Sequence, residues 1–452
     1  MSVNTVVSPQ VSIPSRLERL GNSPYLMRLC GIVLLGYMFA SFSLTGIGYL
    51  MPSLGQDWEL TPVILGYLSS IIFVAMFLGA FVGGFLGDKV GRKPVLVVCS
   101  LLWGIGSILM GLAWSLPVLF FGRTLIGIGL GGQMPLASVI LGEMVPSNYR
   151  GKYLNAAIMS LVIGQALVGL LTYLLLPVVG WRGVLIVVGC FGLWGLVMWK
   201  YLPESAAWLS SKAKYEEADK IMSKIENGVE KSIGRPLPEP VEIKPDKEVM
   251  IGDVKESEKS IFSKHHLKNV ILVTFFMVAQ MMANYGMSLW LTQMLVLKGF
   301  EIIKSIGYVS FICLGGIPAF FFVSYMVDTI GRKKSVIIMA LLTAITVYFY
   351  GQAAVFALVI LTGLMYMFSQ NGYNMATLVF TVELWPTRLR SSGRGYCQAC
   401  GRVGSFLGPT IVGYILAAGY ATSVVMVFAA CLCIFGALAV GIFGPETKGK
   451  VV

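Results

Sequence analysis

Long apolar runs alternate with short polar breaks from about residue 26 to residue 443. Each run is continuous, not alternating at period two, and each approaches the roughly 20 residues a helix needs to cross a bilayer core. The pattern predicts spans at 26–51, 62–87, 94–114, 117–143, 151–178, 182–202, 267–295, 303–327, 333–351, 354–383, 391–418 and 420–443. A polar stretch at 203–266 divides six spans from six. Within it, Ala213 to Glu226 has the amphipathic spacing of a surface helix. Pro236-Leu237-Pro238-Glu239-Pro240 then marks an extended segment. The expected organisation is a tail at 1–25, a bundle at 26–202, a linker at 203–266, a second bundle at 267–443 and a tail at 444–452.

The polar breaks repeat. Asp88, Gly91, Arg92, Glu143, Pro146 and Arg150 return as Asp328, Gly331, Arg332, Glu383, Pro386 and Arg390, each 240 positions later. One spacing kept across six charged, Gly and Pro positions identifies a tandem duplication. The fold class is therefore an all-α membrane protein of twelve helices in two pseudo-symmetric six-helix bundles. Duplicated halves place a binding site near the bilayer midplane, between them.

Composition narrows the class. The chain is 56% hydrophobic and 12% charged, against roughly 25% charged in soluble domains. The formal charge of +12 does not mark a nucleic-acid partner, because Lys and Arg gather in the short loops 88–93, 144–152, 328–334 and 384–390. That is positive-inside patterning, so both termini are expected in the cytosol and the Asp57-Trp58-Glu59 turn outside. Lys298 and Lys304 violate the pattern. The polar first 24 residues read as a tail, not a cleaved signal. The eight cysteines lie almost wholly in apolar runs, without metal-ligand spacing, and His265-His266 has no ligand partners. No cofactor, metal or enzymatic chemistry is expected.

The duplicated charges suggest a latch. Asp88 ends a helix, Gly91 permits a tight turn, and Arg92 can pair bidentately with Glu143, with Arg150 completing the cluster. Asp328, Arg332, Glu383 and Arg390 repeat it. Positive-inside topology accounts for the cations alone, not for carboxylates duplicated at the same offset.

These residues carry a resemblance. Gly84-x-Leu86-Gly87-Asp88-x-x-Gly91-Arg92-Lys93 resembles the loop 2–3 signature of the major facilitator superfamily, and Arg123-x-x-x-Gly127-x-Gly129 its span-four motif. Glu143-x-x-Pro146-x-x-x-Arg150-Gly151, Pro203-Glu204-Ser205 and Pro445-Glu446-Thr447-Lys448-Gly449 are similar to marks shared by sugar porters and organic-ion transporters. The stretch from Pro386 through Arg390, Arg402 and Pro409 resembles prokaryotic relatives of the organic-ion transporters, which include nicotinate and aromatic-acid carriers. The resemblance implies two bundles rocking about a central site, with the charge clusters closing the outward-open state. It ties Arg123 to proton coupling, and it implies that a basic residue at the place of Arg402 accompanies an anionic cargo. Two departures matter. The Gln-rich seventh span of sugar porters reads here Gln280-Met281-Met282-Ala283-Asn284-Tyr285-Gly286, and the first-span carboxylate of aromatic-acid carriers is missing from Phe39-Ala40-Ser41-Phe42-Ser43-Leu44.

The residues point the same way. Arg402 lies about 16 Å along span eleven at ~1.5 Å per residue, near the middle of a core about 30 Å thick. An arginine there is costly and normally faces a cavity or a partner. Arg394 and Gln398 share its helix face. Polar stripes elsewhere complete a candidate substrate site: Tyr37, Phe39, Ser41 and Ser43 of span one; Gln133 of span four; Gln280, Asn284, Tyr285 and Trp290 of span seven; Tyr366, Gln370, Tyr373 and Asn374 of span ten. Such groups cannot face lipid cheaply, although hydrogen bonding between helices would also satisfy them. Aromatic walls with one guanidinium suit a flat carboxylate. The expected function is secondary transport of a small organic anion, with a nicotinate-like aromatic monocarboxylate as the leading cargo, by a monomer in the plasma membrane. The resemblance implies protons as co-substrate, while the lack of a carboxylate at the midplane leaves facilitated diffusion open. A sugar or polyol porter and an efflux carrier of amphipathic compounds are the alternatives.

Overall fold

Ser23 and Thr61 each precede a proline and turn a hydroxyl oxygen onto a free helix amide, Leu26 N at 3.3 Å and Ile64 N at 3.4 Å. These caps start the first two spans, Pro24–Asp57 and Pro62–Val90. The computed structural model describes residues 12–239 and 260–448; the outer tail segments 1–11 and 449–452 and the linker stretch 240–259, with Pro240 and Gly449, lie outside the described residues. Spans three and four are Arg92–Gly111 and Leu116–Met144. Spans five and six form one long helical stretch that turns back at Gly180, where φ is +64°, giving 147–179 and 181–201. Spans nine to twelve are Arg332–Gln352, Phe356–Glu383, Arg390–Ala417 and Thr422–Phe443. The twelve-helix, all-α expectation is borne out, with ends moved by a turn or less in most spans.

Two spans are broken where the pattern predicts continuity. Span seven stops at Leu267–Ser288 and resumes as Leu291–Leu297. Trp290, fully buried at the break, donates its indole N–H to the Pro409 carbonyl at 3.2 Å. Span eight divides into Ile302–Cys313 and Gly316–Ile330. A Cβ at Gly315 would stand 2.6 Å from the Leu364 carbonyl oxygen, so the glycines admit span ten at close range. Apolar periodicity carries no mark of either break.

The Lys and Arg loops share one end of the molecule, here the basic end. At the opposite end, two cations cap repeat-equivalent carbonyls. Arg182 donates to Ala113 O at 2.6 Å, at the end of span three. Lys298 donates to Gly351 O at 2.7 Å and to Ala353 O at 3.1 Å, at the end of span nine. Ala113 and Ala353 are 240 apart, yet their caps come from unrelated positions. Lys298 thus answers a helix C-terminus, and Lys304 pairs with Glu301 at 3.0 Å. Both violations of the charge pattern have local partners.

Below the basic end, the linker helix is Tyr215–Ile233, a turn and a half longer than expected and closed by Gly234 at φ +69°. Met222, Ile225 and Val229 pack against Leu17 and Leu20 of the N-terminal segment. Glu226 receives Arg16 at 2.7 Å and Arg19 at 2.6 Å. Burial works against the Glu226 charge, but the two guanidiniums outweigh it and hold its pKa below the ordinary 4.5. A depressed folded-state pKa stabilises docking above the unfolded value, and that stabilisation is lost as pH falls through the lower folded value. Hydrogen exchange over residues 13–18 is expected to rise only in acid below that point. Glu226→Gln should show the fast exchange at neutral pH, and equal protection in both proteins would contradict this account.

Candidate functional site

Spans two and eleven lean together at the end opposite the basic loops. Thr410 donates to the Ser70 hydroxyl at 2.8 Å, and the Tyr67 and Tyr414 hydroxyls meet at 2.8 Å. Spans five and eight do the same: Ser310 donates to Ala166 O at 2.7 Å. Gly48 of span one lies against Leu289, where an added Cβ would be 2.8 Å from the carbonyl oxygen. All these contacts join the two halves, and all lie in the outer part of their spans. At the basic end, no ion pair among the described residues joins one six-helix half to the other.

Arg402 lies in this interface at mid-span. It is partly buried, and its Nη1 donates to the Met76 sulfur of span two at 3.5 Å; no carboxylate among the described residues pairs with it. Tyr285 is near enough to feel its charge, and its ring lies 4.4 Å from that of Phe73 across the interface. Toward the basic end on the same face, Gln398 and Arg394 are exposed. Arg394 is near enough to act electrostatically on the Tyr37 hydroxyl of the opposite half.

Three amides continue the wall. Gln280 and Gln370 donate to Asn374 Oδ1 at 2.7 and 3.5 Å. With its oxygen so engaged, the half-buried Asn374 has its amide protons left to offer, and Gln280 Oε1 is buried without a partner. Asn284, half-buried, is one helical turn from Gln280.

Several predicted residues face elsewhere. Gln133 accepts from the Trp103 indole at 2.5 Å and donates to Gly36 O at 3.1 Å, locking spans one, three and four. Phe39 stacks on Phe191 at 4.8 Å and meets Trp194 of span six. Trp290 braces the span-seven break. Tyr366 stacks with Tyr350 of span nine at 6.3 Å, and the Tyr373 hydroxyl presses toward Gly436 of span twelve. Tyr37 donates to Met134 O and lies 2.5 Å from the Ser138 hydroxyl, both on span four. The Ser41 and Ser43 hydroxyls are buried without partners. Arg123, 1% exposed, holds the Ser43 and Leu44 carbonyls at 2.8 and 3.2 Å. Beside it, Ser43, Ser107 and Thr172 line a cavity of about 10 Å³, the size of one water. These side chains hold the bundles together. Met76 and Phe73, on an apolar span, carry no signal that would select them from sequence.

The charge clusters form, but within halves. Arg332 shares its Nε–H between the two Glu383 oxygens at 2.9 and 3.0 Å, and its Nη1 lies 3.4 Å from Asp328. Arg92 pairs with Asp88 and reaches Glu143 at 3.8 Å, leaving Glu143 Oε2 buried and unpaired. Among the described residues neither Arg150 nor Arg390 joins a carboxylate, so neither completes its expected cluster. A second pair of carboxylates, in the Pro203-Glu204-Ser205 and Pro445-Glu446-Thr447 marks, lies outside the expected clusters. Glu204 accepts from the Arg92 and Lys93 amides, both at 3.1 Å, and Glu446 from the Arg332 amide at 3.0 Å. Each caps the helix that follows Gly91 or Gly331, whose φ values are +126° and +100°. Burial opposes the Glu446 charge, and the amides of Lys448, Arg332, Lys333 and Thr447 together draw its pKa down. The two glutamates are 242 apart, so subtraction at 240 does not find them.

Two helical bundles joined across one end of the molecule, with an arginine between them at mid-span, have the build of a membrane transporter. The description "Sugar (and other) transporter" matches residues 24–452, and the chain belongs to that family. It is 28% identical to the niacin transporter NiaP of Acinetobacter baylyi, over 98% of this chain and 99% of that protein. The benzoate transport protein of the same organism is 23% identical, over 91% of this chain and 88% of its own length. Among solved structures, the inward-open conformation of the xylose transporter XylE from E. coli aligns with a TM-score of 0.72 at 18% identity, over 94% of this chain and 98% of that one. The chain is thus a multi-pass membrane transporter of the major facilitator fold, with a small-molecule substrate and no enzymatic activity.

Proposed function

We propose that this transporter carries a small organic anion, an aromatic monocarboxylate of the nicotinate type, across the plasma membrane by alternating access. One observation carries the reading: a guanidinium at mid-membrane, between the halves, rests on a thioether sulfur instead of a carboxylate. A methionine sulfur is a weak acceptor. A carboxylate entering between the halves would replace it with a charge-assisted, bidentate pair, while the partly exposed Tyr285, backed by the buried Phe73, offers a ring to a flat acid. Relatives named for niacin and benzoate support the same chemical class. Gln280, Asn284, Gln370, Asn374 and Gln398 supply the remaining polar contacts.

Positive-inside patterning puts the basic end and both termini in the cytosol, so the structure is the inward-facing member of the cycle. In the outward-facing member, Glu143 and Glu383 would meet cations of the opposite half. Accumulating an anion against an inside-negative potential costs about 2.3 kcal/mol per charge per 100 mV. A proton carried with the anion removes that cost. A protonophore is accordingly expected to abolish accumulation while leaving exchange of labelled for unlabelled anion intact; accumulation that survives it excludes the proton.

The direct test is a melting-temperature screen of the purified monomer against organic acids and their amides, since a selective binder stabilises by mass action. Nicotinate and benzoate should raise the midpoint and their amides should not. Equal shifts from acid and amide would overturn the anion assignment. A neutral sugar or polyol is the second reading, favoured by the Gln280–Asn374–Gln370 amide chain, and stabilisation by hydroxylated ligands alone would select it.

A further inference from the structure

The linker helix Tyr215–Ile233 sets three of its lysines on one stripe. Four of its five acids are engaged: Asp219 with Arg16, Glu226 with Arg16 and Arg19, Glu217 with Lys214, and Glu230 with the Leu237 amide; the fifth, Glu216, is exposed in the first turn. Lys220, Lys224 and Lys231 are exposed and, among the described residues, outside any ion pair. At ~100° per residue they fall within roughly 40° of one another. Together with Asp219 they line an open groove of about 620 Å³ whose other wall is Tyr25, in the first turn of span one. The Tyr25 ring lies on Gly228, where an added Cβ would meet it at 2.6 Å.

The groove lies at the basic end, where spans one, three and six emerge. Lys224 is close enough to Lys93, at the start of span three, for the two charges to repel. Lys93 Nζ in turn sits 4.9 Å from the ring centroid of Trp199, on span six. Trp199 and Tyr201 are 54% and 56% exposed, an aromatic pair at the depth where such rings mark the headgroup region. Three lysines on one wall of a groove, whose single lining carboxylate, Asp219, is paired with Arg16, lie beside an aromatic belt and are complementary to a phosphodiester at the membrane surface.

We propose that this groove binds the phosphate headgroup of an anionic phospholipid from the leaflet at the basic end. The lipid would neutralise the Lys stripe and tie the linker helix to the membrane beside the first bundle. Its tails would lie along Trp199 and Tyr201, which a free phosphate could not use.

The test uses the full-length protein in detergent, with native mass spectrometry and melting midpoints in phosphatidylglycerol, phosphatidylcholine or inorganic phosphate. Phosphatidylglycerol should form retained adducts and raise the midpoint; phosphatidylcholine and inorganic phosphate should do neither. K220Q/K224Q/K231Q should weaken phosphatidylglycerol binding on the order of a hundredfold, without changing the midpoint measured in phosphatidylcholine. The corresponding triple Lys→Arg variant, which keeps the charge, should bind as the parent does. Undiminished binding by the Gln variant, equal adducts with phosphatidylcholine, or an equal response to inorganic phosphate would each overturn the proposal.

Discussion

Arg402→Ala is expected to lower affinity for aromatic carboxylates by roughly 2–4 kcal/mol, on the order of thirty- to a thousandfold, as removal of one partner of a buried charge pair does. Affinity for the matching amides should not change. The sign of the stability effect separates this role from a structural one. A mid-membrane arginine costs about 2.5–3.5 kcal/mol on insertion scales, and here it recovers little from Met76. Removing it should leave the ligand-free melting midpoint unchanged or raised. Arg402→Lys should restore only part of the affinity, because an ammonium cannot present the planar fork. Equilibrium binding of a labelled acid, with the melting midpoint on the same samples, checks both halves. A variant that binds normally, or one that loses stability without ligand, would remove Arg402 from the substrate site.

Arg402 was legible in the sequence because its signal is position along a helix, and depth follows from a count of residues. The duplicated charges were legible because covalent spacing survives duplication. Direction around a helix is less visible. Tyr366 and Tyr373 repeat at the same interval as Gln370 and Asn374, yet they turn toward spans nine and twelve. A bundle helix has polar or aromatic neighbours on several sides, so periodicity marks a buried face without saying which neighbour it meets. Gln133 is the sharpest case. A buried amide reads equally as a ligand contact or as a lock between helices, and Trp103, thirty residues away, decides it. The charge clusters show a related limit: spacing brings Arg332 to Glu383, but which cations cross between halves depends on the state of the molecule.

The state itself depends on a few close approaches, and these make the second strong prediction. Gly66 and Gly413 let spans two and eleven touch: a Cβ at Gly66 would stand 2.9 Å from Pro409 O, and one at Gly413 2.6 Å from Pro62 O. Both contacts exist only while this end is shut. Overpacking costs roughly 1–3 kcal/mol, all of it charged to one state, so Gly66→Leu should shift the balance toward opening at this end about five- to a hundredfold. Transport should fall by a similar factor, since every cycle must pass through the shut form, while ligand binding from the opened side persists. Gly79→Leu is the contrasting case. Its side chain would stand 2.2 Å from Ile128 O, a contact between spans two and four inside one bundle and therefore unrelieved by opening, and the expected loss is of folded protein. Spin-label distances across the tips of spans two and eleven should lengthen in Gly66→Leu. An unchanged distance with normal uptake would mean that this glycine contact is not part of the gate.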